Sequence, residues 1–346
     1  MKLMATQATK PRLFRRLALV LILLMSSVQA TYASGGGEGG KEEFNPGKLA
    51  IEHVMDAYEW HLYDSENFGG VIYLPIIVYS KERGVDVFMS SKFFEHHHPV
   101  NYNGLKLGEH GIEALNPNEK IYDFSITKTV ASSIVSCVLL IALFLSVAKG
   151  YAKNRGRAPS GIQSFLEPLI LFVRDDIAKT IIGEKYEKFT PYLLSVFFFI
   201  LINNLMGLMP GAANVTGNIT VTLVLAAFTF IVTNANGNKH YWGHIFWMPG
   251  IPKPMRLIMA PIEFIGLFTK PFALTVRLFA NITAGHIVIL SIISLIFLFK
   301  SYIVSVPSIA LAAAMNFLEL MVAFIQAYVF TLLSAIYISG AVEEHH

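Results

Sequence analysis

From Thr190 to the C-terminus only ten charged residues occur in 157 positions: Lys239, Lys253, Arg256, Glu263, Lys270, Arg277, Lys300, Glu319, Glu343 and Glu344. A stretch so poor in charge cannot fold as an ordinary soluble domain, in which roughly 25% of residues are charged. Long parts of it must sit in lipid. Across all 346 residues the chain is 54% hydrophobic and 15% charged. Most of its charges fall in the first 189 positions, so a water-facing part precedes a membrane-embedded part.

The water-facing part opens with Lys2, Lys10, Arg12, Arg15 and Arg16, then the apolar run Leu17 to Met25, then small residues ending at Ala30 and Ala33. These are the three parts of a secretory signal peptide, expected over 1–33. The apolar core is too short to span, since a crossing helix needs ~20 residues. A glycine-rich linker is expected over 34–43. Residues 44–125 read as a small α+β module. "LAIEHVMDAYEWHL" has helical spacing, while "GVIYLPIIVYS" and "VDVFMSSKFF" read as strands separated by the turn "KERG". Residues 34–125 carry 15 acidic and 7 basic side chains, which argues against nucleic acid as a partner. The run His96, His97, His98 reads as a solvated loop, because consecutive residues cannot all face one ion. The single cysteine, Cys137, excludes an intramolecular disulfide.

The membrane domain is expected over 126–346, with apolar segments at about 130–148, 191–209, 219–233, 257–299 and 307–342. Between the first two, residues 162–183 separate apolar from charged positions, as in a helix lying in the interface plane. Basic residues gather after the first segment (Lys149, Lys153, Arg155, Arg157) and after the third (Lys239, Lys253, Arg256), whereas 210–218 has no charge. The basic loops therefore belong in the cytoplasm. This places the module outside and, after five crossings, the C-terminus inside. The predicted fold is an all-α polytopic membrane protein with five membrane-embedded helices and a small extracytoplasmic α+β N-terminal module.

At ~1.5 Å per residue the last two segments are about 64 and 54 Å long, against a hydrocarbon core of ~30 Å. They must tilt or bend, and Pro271 offers a bend in the first. Their polar residues carry a cost that demands a reason. Glu263, Lys270 and Arg277 recur at sevens, within about 40° of one helical stripe, and Asn281 lies one turn beyond Arg277. Asn316, Glu319 and Gln326 share a face of the final helix. In an antiparallel hairpin, residues at equal depth have a nearly constant sum of residue numbers. That rule sets Arg277 opposite Gln326 and His286 opposite Glu319.

"TKPFALTVRLFANITAGHI" (Thr269 to Ile287), "FIQAYVFTLLSAIYI" (Phe324 to Ile338) and "INNLMGLMPG" (Ile202 to Gly211) closely resemble the a subunit of rotary F-type ATP synthases. The likeness covers about residues 126–346, and three separated motifs agree in order. It implies two long tilted helices packed against a rotating ring of c subunits. It also implies a b-subunit stator stalk and the remaining synthase subunits as partners, in a bacterial inner membrane. Arg277 matches the family's essential arginine, Asn281 and Gln326 its polar neighbours, and Asn204 the asparagine of the second crossing. Many bacterial members have Glu where this chain has His286 and His where it has Glu319, so the two are exchanged. A contacting acid and imidazole can trade places and remain a titratable pair. Gly207 departs from members with an acid there. The N-terminal segment 34–125 lies outside the usual pattern and resembles the extended N-termini of Bacteroidetes-type members.

The resemblance implies a stator with two aqueous half-channels. A rotor carboxylate must be neutral in lipid and can ionise only beside a compensating charge, which Arg277 supplies. Protons rather than sodium ions are expected, since His286 suits proton transfer. No cofactor or metal is implied, and no nucleotide loop or nucleophile elbow occurs, so any ATP chemistry belongs to other subunits. The alternative is an ion-coupled secondary transporter, which also places ionisable residues in the membrane. An internal repeat would favour it, and none is visible between the first three segments and the last two. The sequons at Asn214, Asn218 and Asn281 read as unglycosylated.

Overall fold

The polar, β-branched stretch before residue 125 and the apolar stretch after it fold differently, as their compositions require. The structure is a computed structural model that describes residues 55–61, 70–95, 98–108, 111–116, 119–153, 158–159, 161–209, 211–246 and 253–343. The signal peptide, the linker, the first part of the module and His96 and His97 lie outside the described residues.

Short antiparallel strands build the module: β1 (Glu59–His61), β2 (Val71–Tyr73), β3 (Pro75–Ser80), β4 (Gly84–Met89), β5 (Phe94–Glu95), β6 (His98–Pro99), β7 (Leu105–Gly108), β8 (Gly111–Ala114) and β9 (Ile121–Asp123). The largest sheet runs β4-β3-β9. Its hairpin turns at Lys81 to Arg83, where the expected "KERG" lies, and Gly84 at φ 81° closes it. Alternation along β3 sends Ile76 and Val78 into a core with Phe93, Leu105 and Ile112. Two expectations are corrected here. The helical spacing read through residue 62 gives way at Glu59–His61, which pairs with β2 instead, because strand pairing outweighs local periodicity. The run "VDVFMSSKFF" is not one strand, since Ser90–Phe93 winds into a 3₁₀ turn after β4. Tyr58 donates to the Asp123 carboxylate, and burial, reinforced by that acid, pushes its phenol above the usual tyrosine range.

The membrane domain consists of α1 (Lys128–Lys153), α2 (Ile162–Leu171), α3 (Tyr186–Gly207), α4 (Ile219–Ala235), α5 (Lys239–Phe246), α6 (Lys253–Phe299) and α7 (Tyr302–Val342). α2 continues through the wide π-type stretch Phe172–Lys179 and the turn Thr180–Ile182. Among the described residues four stretches are long and apolar enough to cross a membrane, or five if α4 and α5, bent by 104°, are one span. The chain is a polytopic, mostly helical membrane protein. α6 and α7 run 47 and 41 residues, about 70 and 61 Å at ~1.5 Å per residue, so both exceed a bilayer unless tilted. α6 is helical through both Pro261 and Pro271. Proline removes one hydrogen bond but keeps a helical φ, which flanking turns can hold.

Lipid tails give apolar helices no reason to associate, so close contact of backbones must do so. The buried face of α7 is accordingly made of small residues, among them Ala312, Ala323, Ala327, Thr331, Ser334 and Ala335. Against it pack Leu193 and Phe197 of α3 and Leu274 and Leu278 of α6, with Val173 and Ile177 beneath. Hydroxyls add crosslinks: Tyr192 shares a hydrogen bond of 2.7 Å with Thr229, which in turn lies 3.3 Å from Ser334. The loops sort to two ends. Asn238 and Lys185 both donate to the Val342 carbonyl at one end, and the module joins the start of α1 and the α3–α4 turn at the other.

Candidate functional site

Where α6 and α7 run antiparallel, the polar residues of the two helices meet. Asn281 donates to Gln326 Oε1 at 3.0 Å. His286 Nε2 lies 3.5 Å from Glu319 Oε1, with side chains only 15% and 5% exposed. Lys270 stands 5.6 Å over the Tyr337 ring further along the same seam. The depth rule thus places His286 against Glu319 as expected. It sets Gln326 one turn away from its expected partner, because Gln326 bonds Asn281 rather than meeting Arg277.

Room for the carboxylate comes from Gly285, where a Cβ would stand 2.9 Å from Glu319 Oε1. Both Glu319 oxygens are buried, and neither accepts a hydrogen bond from the described residues. A buried, incompletely paired carboxylate is costly and marks a working group more than a structural one.

Asn204 of α3 closes the cluster from the side. It donates to the Ala323 carbonyl at 3.1 Å and accepts from Thr216 at 2.6 Å. Thr216 belongs to the 3₁₀ turn Val215–Gly217, and the Gly217 carbonyl accepts from Thr283, one turn before His286. Gly207 faces this turn: a Cβ there would sit 3.6 Å from Asn214 Oδ1. Asn214, Thr216 and Thr283 were not singled out as site residues from the sequence. Their signal lay in the sequon spacing, read there only as unglycosylated. Asn218, the third sequon asparagine, caps α4 by accepting from Thr220 N.

Replacing Asn204 with Ala should leave the Thr216 hydroxyl and the Ala323 carbonyl buried without these partners. A loss of about 2 kcal/mol is expected, read as a lower midpoint in detergent denaturation.

Arg277 stands apart from these bonds. Its neighbours Leu274 and Leu278 are 2% and 0% exposed, whereas Arg277 lies on the exposed face of α6 with Val276, Ala280, Ala284 and Ile287. The structure does not bring Glu263 or Asn316 into the cluster's hydrogen bonds, and both are half-buried. Among the described residues no group of three His, Cys, Asp or Glu side chains gathers as metal ligands.

Comparison with known proteins places this arrangement. Residues 130–339 match the family described as ATP synthase A chain. The chain belongs to that family. It is 40% identical to ATP synthase subunit a of Chloroherpeton thalassium over 97% of this chain and 94% of the relative. It is 45% identical to the subunit a of a Chlorobium phaeobacteroides strain over 77% and 78%, and 40% identical to that of an Anaeromyxobacter strain over 92% and 75%. Residues 49–133 match a separate domain of unknown function, DUF8433. The match to the ATP synthase A chain family thus runs from the first turn of α1 to the last turn of α7, and the β-strand module lies within the second match.

Proposed function

We propose that the chain is the stator subunit of a proton-driven ATP synthase, and that protons cross it through two half-channels joined only by way of a rotor. The observation that carries this reading is the place of Arg277. An arginine at the centre of a bilayer costs at least about 2.5 to 3.5 kcal/mol. It is tolerated on an apolar helix face only if a partner with compensating charge covers that face. A ring of c subunits, each with one mid-helix carboxylate, is such a partner. The length of α6 and α7 supports the same reading, since helices that exceed the bilayer thickness must lie aslant in it and can then follow the side of a cylinder.

A proton from the module side passes the Val215–Gly217 turn, exchanges at His286 and Glu319, and reaches the rotor carboxylate beside Asn281 and Gln326. Arg277 pairs with the deprotonated carboxylate and bars a direct passage to the opposite side. The proton leaves toward the cytoplasm after nearly a full turn of the ring. A b-subunit stalk and the remaining synthase subunits complete the complex. The chain itself holds no nucleotide chemistry.

Mild detergent purification followed by mass spectrometry tests the reading. A small, very apolar partner with a single mid-helix carboxylate is expected to accompany the chain. Its absence from intact, active preparations would overturn the assignment. Orientation is tested separately. A reporter fused after Val342 should be active only in the cytoplasm, and protease added to spheroplasts should cut the module. A C-terminus found outside would reverse the two half-channels.

A further inference from the structure

The outer module reaches the membrane domain at two points through one short strap, residues 56–61. Asp56 Oδ1 accepts from Thr129 N in the first turn of α1, and the Ala57 carbonyl accepts from Lys128 N at 2.8 Å. Four residues on, the Trp60 indole N–H donates to the Gly211 carbonyl at 2.6 Å. An indole has one donor and no acceptor, so this bond takes its whole polar capacity.

Gly211 opens the turn that borders the polar cluster, and that turn has little freedom. Gly211 has φ 74°, a conformation that disfavours any side chain. At Gly217 a Cβ would stand 2.4 Å from Asn214 Nδ2. Ala213, Val215 and Thr216 are at most 2% exposed. Inward, the turn grips Asn204 through Thr216 and α6 through Thr283. A close-packed turn transmits displacement rather than absorbing it, so what holds Gly211 also sets Asn204 and Thr283.

We infer that Trp60 is a positioning residue for proton uptake: the module latches the rim of the outer half-channel and fixes the turn through which protons reach His286 and Glu319. This inference rests on the function proposed above. It gives the module, whose matching family is described only as of unknown function, a task at the channel mouth. The latch acts on one side alone. Loosening it should impair uptake from the module side and leave release at the opposite side unchanged.

The test uses membranes carrying the assembled complex stripped of its catalytic head, with proton flux measured while proton concentration is varied on one face at a time. Trp60→Phe keeps the ring and removes the donor. The proton concentration for half-maximal flux from the module side is expected to rise at least about threefold, with the plateau and the dependence on the other face unchanged. Trp60→Gln, whose amide N–H lies the same number of bonds from Cα, should restore most of that shift. Should Trp60→Phe fail to assemble, Asp56→Ala loosens the same strap at α1 and should give the same one-sided change. A wild-type profile for these variants, an equal loss on both faces, or no restoration by Gln would overturn the latch. Arg277→Ala in membranes that keep the catalytic head separates the two readings. If ATP-driven pumping persists, the proposed function fails. If pumping stops while Trp60→Phe is silent, only the latch fails.

Discussion

Arg277→Ala is expected to abolish ATP-driven proton pumping while the membrane sector still assembles. Assembly survives because Arg277 lies on an exposed face and takes no part in the packing of Leu274 and Leu278 against the core. Function fails because the rotor carboxylate then has no cation to meet when it ionises in the membrane. An unpaired buried ion costs several kcal/mol, and each 1.4 kcal/mol is a tenfold factor, so ATP-driven pumping should fall at least about a hundredfold. Pumping by vesicles, read with a pH-sensitive dye, measures this. Arg277→Lys should rescue poorly, since an ammonium is a point charge without the planar fork that holds a carboxylate at two points. Normal pumping by the Ala variant would remove the basis of the proposed mechanism.

The second large effect concerns the pair 3.5 Å apart, His286 and Glu319. His286→Ala and Glu319→Ala should each slow flux roughly tenfold. The double variant should cost much less than their sum, because groups in contact couple by about 0.5 to 3 kcal/mol. The exchange His286→Glu with Glu319→His should keep substantial activity, as it preserves one acid and one imidazole at the same depth. Gly285 matters to this expectation, since the narrow gap beside Glu319 must also admit an imidazole. Flux through the sector lacking its catalytic head, at several pH values, is the measurement. Strictly additive losses with a dead exchange variant would show that the two residues do not share a proton path.

Much of this site was legible before any coordinates because membranes make polarity expensive. Each of His286, Glu319, Asn281 and Gln326 stands out against apolar neighbours, and an antiparallel hairpin leaves one free parameter, its register. The register was off by one turn at Gln326, which bonds Asn281 rather than facing Arg277. A constant sum ignores the tilt and supercoil of packed helices. The turn between α3 and α4 was harder to read. Asn214, Thr216 and Thr283 sit in sequons, a pattern short enough to arise by chance, and only the folding of the α3–α4 turn onto α6 brings them together. The strap at 56–61 was misread for a related reason. Its helical spacing was real, but β2 offered Glu59–His61 a partner, and pairing decided the outcome.

Disulfide mapping of the face that carries Arg277 bears most directly on the stator assignment. With Cys137 replaced by Ser, single cysteines at Ala280 and Ile287, on the exposed face of α6, are paired with a cysteine placed beside the carboxylate of the c subunit. A cysteine at Phe228, 56% exposed on α4, serves as control. Oxidation is expected to crosslink Ala280→Cys and Ile287→Cys to the c subunit and to leave Phe228→Cys free. Crosslinks from Phe228→Cys alone, or none from either α6 position in an active complex, would contradict a rotor seated against Arg277.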